Sequence, residues 1–179
     1  MLWLSVSAMA KQDGAVLAAE FERLVQGDAD RVLTLALRIV GDRSTAHDVS
    51  QEVFLSAWRT LSMGRPVANW PAYLRTSTVR ESLRQMRLRS PSGHDRLLAV
   101  EDPARNSPQE AASRRELEDA IRRCLVKLSE KQALAFTLTK IEGLSYRECA
   151  ESMGCSENAA RVHVHRAAQA LARLLDGHL

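Results

Sequence analysis

The chain has 179 residues, enough for one domain or two small ones. A hydrophobic content of 45% suffices for buried cores, and no apolar run is long enough to span a membrane. With a net charge of only +3, a polyanionic partner has to be met by local clusters, and three cysteines in no paired framework suit a reducing cytoplasm.

The first ten residues are apolar and end in Ala8-Met9-Ala10, which resembles a signal-peptidase site. No basic residues precede the run and it is short. Residues 1–14 are therefore expected to be a disordered leader, with Met9 an alternative initiator. A short helix follows over 15–25, and Gly27-Asp28 is expected to break it. The next helix, 29–40, is apolar on most sides, so it belongs at the centre of a bundle. Gly41-Asp42 stops it, and Ser44 is the expected cap of a helix over 45–61. There Ala46, Val49, Val53, Phe54 and Ala57 form a buried stripe. Asp48, Gln51, Glu52 and Arg59 are left outside it, a pattern that composition alone reads as solvent exposure.

Residues 60–69 form a loop containing Gly64 and Pro66. Pro71 is tolerated in the first turn of a helix running to Arg89. Trp70 and Tyr73 suit either of two roles, a stacking platform or closure of the small core. Arg80, Arg84 and Arg87 recur at i, i+4 and i+7, with Arg75 and Arg89 nearby and only Glu81 opposing. Such a stripe is a solvated face in most helices. At this density it is also a phosphate-binding surface with salt-dependent affinity. Residues 90–113, with Pro91, Gly93, Pro103 and Pro108, read as a flexible linker. From Arg114 to Lys127 the expected buried stripe is Leu117, Ala120, Ile121, Cys124 and Leu125.

The C-terminal stretch is punctuated by caps. Ser129 with Gln132, and Ser145 with Glu148, have capping-box spacing. A short helix over 146–153, a turn at Gly154, a new N-cap at Ser156 and a long helix over 157–175 make the sequence form of a helix-turn-helix. On the last helix Ala160, Val164, Ala167, Ala168, Leu171, Leu174 and Leu175 fall on one side. Asn158, Val162, His165, Arg166, Gln169 and Arg173 fall on the other, flanked by Arg161 and His163. That polar face suits a DNA major groove, since Arg pairs with guanine edges or phosphates and Asn with adenine. The fold class expected is therefore all-α, two small helical domains joined by a flexible linker, the second a helix-turn-helix over 114–179. Cys149, Cys155, His163 and His165 lack the spacing of a compact zinc module, so no metal is expected. Without a phosphate loop, dinucleotide turn or nucleophile elbow, neither a cofactor nor catalysis by this chain is expected.

Two motifs carry a family resemblance. Asp48-Val-Ser-Gln51-Glu52-Val-Phe54-Leu-Ser-Ala-Trp58 resembles the Asp-x-x-Gln-Glu-x-Phe-x-x-x-Trp signature of region 2 in bacterial RNA polymerase sigma factors of the extracytoplasmic-function (ECF) group. Gly143-Leu-Ser-Tyr-Arg-Glu-Cys-Ala, followed by Gly154-Cys-Ser-Glu, resembles region 4 of the same group. The resemblance implies a cytoplasmic factor that joins core RNA polymerase and directs it to promoters. Asp48, Gln51, Glu52 and Trp58 are then the candidates for core docking. Arg65 and Asn69, in the loop that holds a flipped base in the family, join Trp70, Arg75, Arg80, Arg84 and Arg87 as minus-ten candidates. Ser156, Asn158, Arg161, Val162, His165 and Arg166 are the minus-thirty-five candidates. An anti-sigma partner is expected by the same analogy. His47 stands where the family usually has an acid, and Arg80 and Arg84 align with a common Asn and Asp. A stand-alone helix-turn-helix regulator, or a degenerate sigma-like regulator that only docks on polymerase, is the alternative.

Overall fold

The computed structural model describes residues 2–89 and 108–176, with side-chain surroundings for 14–89 and 116–175. Among the described residues the chain is all-helical, with seven α-helices and no strand. The first, α1 (Leu2–Val40), is continuous through Gly27. The break expected at Gly27-Asp28 is absent. One mid-helix glycine costs only about 1 kcal/mol. Apolar groups on both sides of it, Phe21 and Leu24 before and Val32 and Ala36 after, pack into the same core and offset that cost. The segment 1–14, expected as a disordered leader, lies within α1 from Leu2 onward. Local chemistry permits this, because no proline interrupts a run rich in Leu, Ala, Met, Lys and Gln.

Gly41, at φ 82°, ends α1 in the left-handed region that favours glycine. Asp42 is then extended, and its Oδ1 accepts from the Thr45 N–H at 2.7 Å, capping α2 (Arg43–Ser62). The expected cap, Ser44, instead lies inside the first turn. Asn69 plays the same part for α3 (Trp70–Arg89), its Oδ1 accepting from the Ala72 N–H at 3.0 Å. Pro71 beside it needs no donor in that turn. Val32, Ala36, Ala46, Val49, Val53, Ala57 and Leu74 form the core of α1, α2 and α3. Three of the seven are alanines, which let the helix axes approach closely.

The C-terminal helices are α4 (Pro108–Leu125), α5 (Glu130–Phe136), α6 (Tyr146–Met153) and α7 (Glu157–Asp176). A five-residue π-helical segment, Thr137–Ile141, extends α5. The expected linker is shortened, because 108–113 belong to α4, while 90–107 fall outside the described residues. Both capping boxes form, Ser129 with Gln132 and Ser145 with Glu148. Gly154 takes the left-handed conformation that lets α6 turn into α7. Two expected core positions are overturned. Leu117 is 54% exposed, since full burial on α4 begins only at Cys124, and Ala168 is exposed beside a seam set by Ala160, Val164, Ala167 and Leu171.

The two halves also share a core, which the two-domain expectation did not contain. Leu35 and Ile39 of α1, with Val79 and Leu83 of α3, join Leu125, Leu128, Leu134 and Leu138 in one buried cluster. Here lies the reason for α1 being apolar on most sides: one face meets α2 and another meets the C-terminal helices.

Candidate functional surfaces

The outward face of α2 is built by subtraction. Ala46, Val49, Val53 and Ala57 are fully buried, so positions 48, 51, 52, 55, 58 and 59 point away from the core. Asp48 and Gln51 are exposed there, and Glu52 bonds Arg59 at 3.3 Å. Trp58 is 37% exposed and lies edge-on to Phe21 at 5.2 Å, so its ring is braced while one side stays in solvent. Leu55, 49% exposed, belongs to this face and sequence reasoning missed it. Its signal was its place outside the buried stripe, three residues from both Glu52 and Trp58. Asp48, like Glu52, has a basic neighbour, with Arg89 Nη2 4.0 Å from its carboxylate.

The second surface spans the α2–α3 loop and α3, and here the predicted residues do not form one patch. Arg65 is exposed on the loop. Asn69 has spent its carbonyl on the α3 cap, which leaves its amide N–H groups for a ligand. Trp70 and Tyr73 meet edge-to-face at 5.4 Å, and the Tyr73 hydroxyl is bound to Ser56 at 3.1 Å and Thr60 at 3.0 Å. Both rings pack on the N-terminal core, so of the two open roles the geometry favours core closure. Arg80 is exposed. Arg84 is bidentate to Glu81 at 2.7 and 2.6 Å. Burial pushes the Glu81 carboxyl up, but hydrogen bonds from Arg84 and Gln85 outweigh it and hold it below the ordinary carboxylate value. Arg87 turns toward the C-terminal helices and donates to the Leu128 carbonyl at 3.4 Å. Arg75 lines a cleft of about 510 Å³ with Arg31, Arg38, Asp28, Asp30 and Glu142. The continuous arginine stripe read from spacing is thus divided, because Arg84 and Arg87 bind different oxygens, Arg75 faces the cleft and Arg80 stays exposed.

The third surface is α7. Ser156 caps it, its hydroxyl accepting from the Ala159 N–H at 3.2 Å. With Ala160, Val164, Ala167 and Leu171 buried, Asn158, Val162, His165 and Arg166 stand together on the exposed side. Arg161 is held from two directions. Glu157 accepts from its Nη2 at 2.6 Å, and its guanidinium lies 4.6 Å over the Tyr146 ring. Tyr146 and Glu157 were not anticipated as site residues, although the i, i+4 spacing of Glu157 and Arg161 announced one of the pairs. Cys149 is fully buried against the Ala135 carbonyl, and burial, with a smaller effect of Cys155, pushes its thiol up to about 11. It packs as a small apolar group. No helix among the described residues is long and apolar enough to cross a membrane.

Two family models match the chain, sigma-70 region 2 over residues 24–91 and sigma-70 region 4 over residues 118–171. The chain is 32% identical over 173 residues to the RNA polymerase sigma factor CarQ of Myxococcus xanthus, covering 92% of each chain. It is also 32% identical over 165 residues to the ECF RNA polymerase sigma factor BldN of Streptomyces coelicolor, covering 88% of this chain and 61% of that one. Among solved structures, the sigma factor RpoE of Bartonella quintana, crystallised with the anti-sigma factor NepR, shares the fold. The TM-score is 0.54 at 22% identity, covering 88% of this chain and 97% of that one.

Proposed function

From the premise that this chain belongs to the ECF group of bacterial RNA polymerase sigma factors, we propose a division of labour among its three surfaces. The chain binds core RNA polymerase and directs promoter recognition and transcription initiation. The exposed α2 face, with Asp48, Gln51, Glu52 and Trp58 and now Leu55, docks on the core enzyme. The loop at Arg65 and Asn69, with Arg75 and Arg80, faces the minus-ten element, while Arg84 is taken up by Glu81. The α7 face of Asn158, Arg161, Val162, His165 and Arg166 enters the major groove of the minus-thirty-five element, with Ser156 holding the start of the helix.

The observation that carries this reading is the exposed α7 face, presented by two capped helices and a left-handed glycine turn. Its residue types match base edges, and nothing among the described residues covers it. Polymerase supplies the chemistry of RNA synthesis. This chain supplies binding free energy for placement and strand opening, and acts in the cytoplasm where polymerase works. The Bartonella factor of this fold was crystallised in complex with an anti-sigma factor, and a partner of that kind is proposed for this chain.

Purified core polymerase, reconstituted with this chain and given genomic fragments, tests the reading. Transcripts that appear only with the chain present are expected. Core binding without transcripts would make it a docking regulator, and duplex binding without core would make it a stand-alone one.

A further inference from the structure

The first turn of α7 carries an exposed acid, Glu157, beside a face of Asn158, His165 and Arg166 that suits a polyanion. A carboxylate brought near duplex phosphates costs affinity by like-charge repulsion. This one is engaged by a neighbour. Its Oε1 accepts from Arg161 Nη2 at 2.6 Å, one helical turn on. The acid is on the N-terminal side, the favourable order for such a pair. Both side chains are about half exposed, so in water the bond contributes little to stability. In a groove that excludes water the same bond strengthens.

The second hold comes from the other helix of the helix-turn-helix. Tyr146 opens α6, directly after the Ser145–Glu148 capping box, and its partly buried ring packs on the C-terminal cluster. Both features fix where the ring stands. The guanidinium carbon of Arg161 lies 4.6 Å from its centre. An untethered arginine on this face would sample many rotamers and reach the nearest phosphates, contacts that carry no sequence information. Held between an acid on its own helix and a ring on the preceding one, Arg161 keeps one orientation. A guanidinium has five N–H donors in a planar fork, so the one given to Glu157 leaves a pair for O6 and N7 of guanine.

We propose that Glu157 is a specificity-determining positioning residue: with the Tyr146 ring, it withholds Arg161 from the phosphates and aims it at a guanine of the upstream element. Glu157 thereby lowers affinity and raises discrimination. It repels every duplex alike and favours only the sequence that Arg161 can read. This role rests on the sigma-factor reading above, and the test separates the two.

Holoenzymes reconstituted from core polymerase and the full chain, wild type or variant, are compared on promoters that differ only at the upstream position whose preference Arg161→Ala removes. The preferred base there should be guanine on one strand. The readout is the ratio of transcription with that base to transcription with the other three. Glu157→Ala should lower the ratio at least threefold, while yields from the non-preferred promoters hold or rise, because the released guanidinium turns to phosphate. Glu157→Gln keeps an acceptor oxygen and should hold the ratio within twofold of wild type. Tyr146→Ala should lower it about twofold. A smaller fall with Glu157→Ala, a loss beyond twofold with Glu157→Gln, or a uniform drop on every promoter, which a merely structural role at the helix start would give, overturns the proposal. If wild type transcribes but Arg161→Ala changes no preference, or the preferred base is not guanine, the sigma-factor reading stands and the aimed guanidinium is overturned. If wild type gives no transcripts at all, the sigma-factor reading itself fails and the role of Glu157 falls with it.

Discussion

Helices α3 and α7 carry the same signal, basic residues at helical spacing, and reach opposite outcomes. On α3, Glu81 takes Arg84, the Leu128 carbonyl takes Arg87, and Arg75 faces a cleft that also holds Asp28, Asp30 and Glu142. On α7, Asn158, Val162, His165 and Arg166 stay exposed, and the two arginines that are held are held close by: Arg161 by Glu157 and the Tyr146 ring, Arg173 by the Gln169 carbonyl. The difference follows from position in the bundle. α3 lies between the two halves, so its side chains meet acceptors on their own helix and across the junction. α7 lies at an edge with only one buried seam. A row of arginines is therefore a ready DNA surface only where no neighbouring element supplies oxygens first.

The largest expected effect comes from removing the seat of α7. Leu138 is fully buried in the cluster beneath α5 and α7, and Leu138→Ala should cost about 2–5 kcal/mol of stability in chemical denaturation. A loss below about 1 kcal/mol would mean that this seam does not hold the helix-turn-helix.

The comparison itself is tested next. Arg166→Ala should weaken holoenzyme binding to the upstream element by about 1–3 kcal/mol. Arg84→Ala should change promoter binding by less than about 0.5 kcal/mol, since its guanidinium is already bound to a carboxylate on an exposed face. Equal losses would erase the distinction between the two helices.

Ser145→Ala removes a capping box and should cost about 1 kcal/mol of stability. The same cap carries a pH dependence. Hydrogen bonds from the Ser145 hydroxyl and backbone hold the Glu148 carboxyl below its ordinary value. A depressed carboxylate stabilises the fold above its unfolded pKa and loses that contribution as pH falls through the lower folded value. Acid titration of wild type should thus show a loss that Glu148→Gln lacks. The smallest effect belongs to Tyr146→Phe, which keeps the ring under Arg161 and should leave upstream binding within about 0.5 kcal/mol, whereas Tyr146→Ala should lose up to about 1 kcal/mol.

What was legible in the sequence was what is local. Ser129, Ser145 and Ser156 as caps, Gly154 as the turn and the buried seam of α7 all follow from residues within a turn of one another. The continuity of α1 through Gly27 was not legible, because packing on both flanks overrides a propensity of about 1 kcal/mol. Asp42 displaced Ser44 as a cap because Gly41, not Asp42, absorbs the end of α1. The shared core was hidden for another reason. Leu35 and Leu138 are a hundred residues apart, and no pattern within either segment says which faces meet. The site was read in the same proportion. The α7 face stands as its period implied, while the α3 stripe was divided by partners as distant in sequence as Leu128.

The account depends most on the exposed α7 face reading bases, and a promoter library measures that directly. Transcription from a library randomised across the upstream element would be compared for holoenzymes carrying the wild-type chain and Arg166→Ala. The account predicts that preference relaxes at one or two adjacent positions and persists elsewhere. An identical preference profile, or a uniform drop at every position, would contradict it.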